Sequence, residues 1–158
     1  MSSFVPSRRA LLAAAATLAF VHGTPASADD LPRILVHRSP TCGCCKAWVG
    51  HLRGAGFVVD VIDEADIASV KSRLRVPASL ASCHTAEVSG YVVEGHAPAS
   101  TIEKLLAEKP NAIGLAVPGM PMGSPGMETG GAADVYDVLL FDANGQRSFA
   151  KFEGGREI

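Results

Sequence analysis

Apolar positions along the chain follow two rhythms, and these divide it into elements. Short apolar runs bounded by Pro, Gly or Ser read as strands. They are "RILVH" (Arg33 to His37), "FVVDVI" (Phe57 to Ile62), and the pair "CHTAEV" and "YVVEG" on either side of Ser89-Gly90. Between them the spacing lengthens to that of a helix. "CCKAWVGHLR" sets Ala47, Trp48 and Leu52 on one side and stops at Gly54 and Gly56. "EADIASVKSRLR" (Glu64 to Arg75) carries Ile67, Val70 and Leu74 on one face, and Val76-Pro77 breaks it. Asp63, Glu64 and Asp66 read as its acidic first turn. "PASTIEKLLAEK" opens on Pro98 and buries Ile102, Leu105 and Leu106. The order is β-α-β-α-β-β-α. Two right-handed crossovers would lay the first strands parallel in one sheet, with a site at the edge where strand meets helix.

Beyond this the rhythm fails. "VPGMPMGSPGMETGG" (Val117 to Gly131) is rich in Gly, Pro and Met, with no period. "YDVLLFD" and "QRSFAKF" then form two strand-like runs joined through Asn144-Gly145, a hairpin signal. No internal repeat and no linker divides the chain.

The N-terminus has a different character. Arg8 and Arg9 precede the apolar run Ala10 to Val21, and "ASA" (Ala26 to Ala28) is a small-x-small cleavage site. The run is shorter than the ~20 residues of a membrane span. The expectation is a cleaved export signal over residues 1–28 and one periplasmic domain over 29–158, exported by the Sec route or, given the paired arginines, the twin-arginine route. The formal net charge is −2, and −4 without Arg8 and Arg9. With no basic stripe left, nucleic acid is not an expected partner, and no later run is fit to span a membrane.

All four cysteines fall in the exported part, three of them in "SPTCGCCKAW": Cys42, Cys44 and Cys45. An oxidising compartment favours structural disulfides, but these three are packed too closely for loop-stapling bridges, and only Cys83 is distant. With the strand before it and the helix after it, Cys42-Gly43-Cys44-Cys45 resembles the C-x-x-C of thioredoxin-fold proteins, with Cys42 and Cys45 as the redox-active pair. The resemblance implies a three-layer thioredoxin-like α/β fold, here with a C-terminal Met/Gly/Pro loop and a β-hairpin extension. It also implies a cis-proline before the third strand that faces the cysteines, for which Pro77 is the candidate. A second resemblance spans nearly the whole mature chain. "SPTCGCCKAW", "SCHTAEVSGYVVEGHAP" and "PGMPMGSPGME", in that order, resemble the CopG-like copper-resistance family of exported bacterial proteins. It implies a periplasmic copper-binding protein with a redox role, with copper ions and other copper-handling or redox proteins of the periplasm as partners.

The residues suit that chemistry. A cysteine at a helix N-terminus feels the positive end of the dipole, which favours thiolate. Cys44 stands where redox relatives often hold a proline. A third thiolate there serves disulfide exchange poorly but suits several sulfurs bridging more than one soft ion. Such ligands favour Cu(I), although Zn(II) also accepts them. Met120, Met122 and Met127 tip the choice to copper, being thioethers outside any helical stripe. Cys83 and His84 complete the candidate ligands. Six residues of straight strand after Pro77 would carry Cys83 ~20 Å away, so "PASLAS" must turn if Cys83 belongs to the site. Neighbours on a regular strand also point to opposite faces, so both reach one site only from an irregular start. His37 is a candidate supporting residue, His51 is expected to be solvated, and His96 to be a turn residue. Trp48 is expected to pack beside the site. Two other readings stay open: a metal-free thiol-disulfide oxidoreductase using Cys42 and Cys45, and a structural zinc site of Cys42, Cys45, Cys83 and His84.

Overall fold

The structure is a computed structural model that describes residues 31–158; the expected export signal and its cleavage point lie outside them. Strand β1 (Ile34–Arg38) leads into helix α1 (Gly43–Gly54). Cys42 is the N-cap, its Sγ accepting from the Cys45 amide at 3.3 Å. The helix ends where Gly56 turns the chain with φ of 98°. Strand β2 (Val59–Asp63) follows, then helix α2 (Ile67–Arg73). Helix α2 starts later than its pattern suggests. Asp66 caps it, accepting from Ala68 N at 3.1 Å and Ser69 N at 3.2 Å. Asp63 and Glu64 therefore lie before the helix rather than in its first turn. They bind outward instead, Asp63 beside Arg38 and Glu64 to His37.

A 3-10 turn, Ala78–Leu80, precedes strands β3 (His84–Val88) and β4 (Tyr91–Glu94). Helix α3 (Ala99–Glu108) ends on Lys109 in the left-handed region (φ 48°), and Pro110 bars its continuation. Strands β5 (Gly114–Ala116), β6 (Val135–Asp142), β7 (Gly145–Glu153) and β8 (Arg156–Glu157) complete the chain.

All eight strands form one sheet, in the order β2-β1-β3-β4-β5-β6-β7-β8. Strand β1 pairs parallel with β2, but β3 runs antiparallel to β1. Only the first crossover gives the expected parallel neighbour. The reason is length. Seven helical residues rise ~10 Å, less than the ~16 Å of a five-residue strand, and the 3-10 turn folds the chain back. Strand β3 thus begins where β1 ends, with Arg38 paired to His84.

The C-terminal hairpin is no appendage either. Strand β5, three buried residues too short to announce a period, pairs parallel with β4 and antiparallel with β6, so the hairpin continues the sheet. Side chains alternate between two faces. One face packs Ile34, Val36, Val93 and Leu115 under Trp48 and Leu52 of α1 and Ile102 and Leu105 of α3. The other gathers Leu80, Val92, Ala116 and Phe141.

Candidate metal centre

The centre lies at the sheet edge where β1 passes into α1 and β3 begins. Cys42 and Cys45, one helical turn apart, are joined as a disulfide with their Cα atoms 5.4 Å apart. Cys44 and Cys83 are free thiols. Cys44 Sγ lies 3.4 Å from Cys42 Sγ and 3.7 Å from Cys83 Sγ, and Cys45 Sγ lies 3.8 Å from the Cys83 carbonyl. The four Sγ atoms all lie within 4.8 Å of one another.

Cys83 is shared with a second group. Its Sγ lies 3.2 Å from His84 Nδ1 and 3.1 Å from His96 Nε2. Both imidazoles are fully buried. Burial first, then the repulsion a protonated ring would meet from a protonated His96 and from Lys71, hold His84 well below the usual histidine pKa, and burial also lowers His96. Both rings are therefore neutral, the form that ligates metals. Burial first and Cys44 second push the Cys83 thiol up to about 12, so without a cation beside it Cys83 stays protonated. His84 Nε2 is buried without a hydrogen-bond partner. Such orphans call for an unseen partner; the nitrogen beside Cys83 is Nδ1, and the fit to a soft metal ion comes from the four sulfurs and the two imidazoles around Cys83.

The Cys83-His84 dipeptide is held from behind by a buried carboxylate. Glu94 Oε1 accepts from Ser82 N at 2.6 Å and pairs with Lys71, while Oε2 accepts from Thr85 Oγ1 at 2.6 Å. The residues just before and just after the dipeptide are thus tied to one side chain.

Pro77, the candidate facing proline, is not at the site. Among the described residues no peptide bond is cis, and Pro77 instead caps the 3-10 turn. That turn takes up the distance a straight strand would have added. Cys83, immediately before β3, faces the cysteine motif in its place.

His96 is the main residue underrated from sequence. Nothing local marks "EGHAP" as more than a turn; only the β3–β4 pairing and α3 bring it under Cys83. Both ring nitrogens of His37 are taken up by carboxylates, Glu64 (2.7 Å) and Glu87 (3.1 Å). His51 is half-buried rather than solvated, because its Nε2 accepts from Ala99 N at 3.0 Å at the start of α3. Trp48 is buried beside the site, its ring centroid 4.3 Å from that of His84.

The methionine segment meets the centre through its main chain. Pro125 O accepts from His96 Nδ1 at 2.8 Å, and Ser82 Oγ donates to Gly119 O. Gly126 (φ 87°) lies so close to α1 that a Cβ would stand 2.7 Å from Trp48 N and 2.9 Å from Cys44 O. Met120 is exposed, and Met122 and Met127 are half-buried.

Residues 80–127, which hold Cys83, His84, His96 and all three methionines, match the family described as "Protein of unknown function, DUF411". None of the curated proteins compared with the chain matches it. Two solved structures do, Form 1 and Form 2 of the copper resistance protein CopG. Each is 49% identical with a TM-score of 0.74. The matches cover 77% of this chain and 98% of Form 2, and 78% of this chain and 99% of Form 1. At that identity, over nearly the full length of both relatives, this chain belongs to the CopG-like copper-resistance family.

Proposed function

We propose that this chain is an exported periplasmic protein that binds Cu(I) through its cysteine cluster and couples the copper oxidation state to the Cys42–Cys45 disulfide. The carrying observation is the convergence of three further cysteine sulfurs and two buried imidazoles on Cys83. Two donor groups that share Cys83, six residues in all, exceed what a single tetrahedral ion needs and suit more than one Cu(I). Cys42, Cys44, Cys45, Cys83, His84 and His96 are the assigned ligands. Met120, exposed, and the half-buried Met122 and Met127 supply thioethers on the adjoining loop, and the exposure of Met120 suits capture and transfer of copper.

The redox step balances within this donor set. Two Cu(I) ions give one electron each, the Cys42–Cys45 bond takes both, and two thiolates and two Cu(II) ions result. The reverse step closes the bond and regenerates Cu(I). Helix α1 has no acidic residue in its first turn, so nothing offsets the positive helix end that favours those thiolates. A thioredoxin-like frame accounts for the placement. The order β2-β1-β3-β4, with β1 and β2 parallel and β3 and β4 antiparallel, puts a C-x-x-C at the head of α1 opposite the residue that enters β3.

The test is metal analysis of the reduced, purified chain beside its Cys44→Ser variant. More than one copper per chain with a sulfur-to-Cu(I) absorption band is expected. Cys44→Ser should lower the copper content and still form the Cys42–Cys45 disulfide. One zinc per chain and no copper would refute the assignment.

A further inference from the structure

An open cleft of about 530 Å³, lined by Cys42 and not by Cys83, runs between α1 and the edge strand β2. That volume lies in the range of sites for small molecules, about 300–1,000 Å³. Cys42 lines it together with three cationic residues, Arg38, Lys46 and Arg53, and no Asp or Glu is among its lining residues. The cations are not equally available. Arg38 Nε lies 3.1 Å from Asp63 but makes no hydrogen bond there, and Arg38 reaches the Cys42 carbonyl at 3.5 Å. Arg53 donates to Val59 O at 2.8 Å. Lys46 is exposed. The acid-free first turn of α1 adds its dipole to the same end of the cleft.

We propose that this cleft binds a small anionic thiol, and that this thiol reduces the Cys42–Cys45 disulfide through Cys42. The inference rests on the copper reading above: Cys42 and Cys45 ligate Cu(I) only as thiolates, and a thiol opens their disulfide without oxidising copper. It adds a second source of electrons for that bond beside Cu(I). The carboxylates of the thiol sit against Lys46, Arg53 and Arg38, and its thiolate attacks Cys42 Sγ. A bond forms between the two sulfurs, the Cys42–Cys45 bond breaks, and its electron pair leaves on Cys45 Sγ. A second thiol then attacks the ligand sulfur of the mixed disulfide. It releases the symmetrical disulfide of the ligand and leaves Cys42 as thiolate. Two thiols are oxidised and the protein gains two electrons. Cys45 is fully buried while Cys42 is partly open, which makes Cys42 the sulfur attacked.

The site is tested on the metal-free, disulfide-bonded protein with three thiols of different charge: mercaptosuccinate (anionic), 2-mercaptoethanol (neutral) and cysteamine (cationic). Rates are compared per thiolate. Mercaptosuccinate should react about tenfold faster than 2-mercaptoethanol at low ionic strength, as two close opposite charges at a protein surface allow, and cysteamine slower than either. Only mercaptosuccinate should saturate, because it binds before it reacts. Lys46→Glu should remove the saturation and most of the rate ratio. The 2-mercaptoethanol rate in the same variant normalises any change in folding or intrinsic reactivity. Equal per-thiolate rates, or a mercaptosuccinate preference that survives Lys46→Glu, would overturn the proposal. No copper enters the experiment, so its failure leaves the copper assignment standing, and failure of copper binding leaves these rates as they are.

Discussion

Glu94 shows how much one side chain carries here. It is fully buried and spends both oxygens on the backbone and side chains that flank Cys83-His84. Its partner Lys71 is almost equally enclosed. Removing one member of such a pair strands the other charge and costs about 3–5 kcal/mol. Glu94→Leu should therefore lower the unfolding free energy by that order in urea titration, and Lys71→Met in the same chain should restore much of it. Copper content should not recover with stability in the double variant, because Ser82 N has still lost its acceptor and the dipeptide its support. If copper binding returns with stability, the carboxylate holds the fold and not the ligands.

Among the elements, α3 has the least conventional start. Pro98 stands at its N-cap and offers no side-chain acceptor. His51, from the last turn of α1, supplies the acceptor for Ala99 N instead. Burial lowers the His51 pKa, against a smaller opposing pull from Glu128. Protonation would turn that acceptor into a donor, so the folded state resists it while the unfolded chain does not. The unfolded state then binds more protons, and stability falls as pH drops below the ordinary histidine value of ~6.5. Above that value the effect is absent. His51→Gln keeps an acceptor and removes the titration. Its urea midpoint should fall less between pH 7.5 and pH 5.5 than that of the parent chain, a window chosen to span ~6.5. Parallel pH profiles would mean that α3 does not depend on this bond. His84 and His96 titrate in both proteins, so the difference isolates His51.

The whole molecule depends on its C-terminal hairpin. Strands β6 and β7 put Tyr136, Val138, Leu140, Phe141 and Phe152 into the two apolar clusters on the faces of the sheet. Each such side chain contributes about 1.5–3 kcal/mol on burial, so the five together match the entire stability of an ordinary domain, about 5–15 kcal/mol. A chain ending at Asp134 would also leave β5 as an unpaired edge. It should show no cooperative thermal transition by circular dichroism. A sharp transition in the truncated chain would mean that β1 to β5 fold alone and that the hairpin is an attachment.

What the sequence determined by itself was local. The period of Ile102 and Leu105, the Asn144-Gly145 turn and the cysteines at the head of a helix each depend on residues a few positions apart. They were legible because caps, turns and amphipathic faces are short-range. The four cysteines and His84 stood out as candidate donors by residue type alone, and the membership of the family could be read from three motifs. The tertiary structure decided whatever depends on direction and distance between elements. A helix of seven residues and a 3-10 turn made β3 antiparallel to β1, which set Cys83, and not Pro77, against the cysteine motif. The same pairing drew His96 to Cys83 and gave His37 two carboxylate partners. A three-residue strand with no readable period joined the hairpin to the sheet. These outcomes rest on contacts between residues far apart in the chain, and such contacts leave no periodic trace in a single sequence.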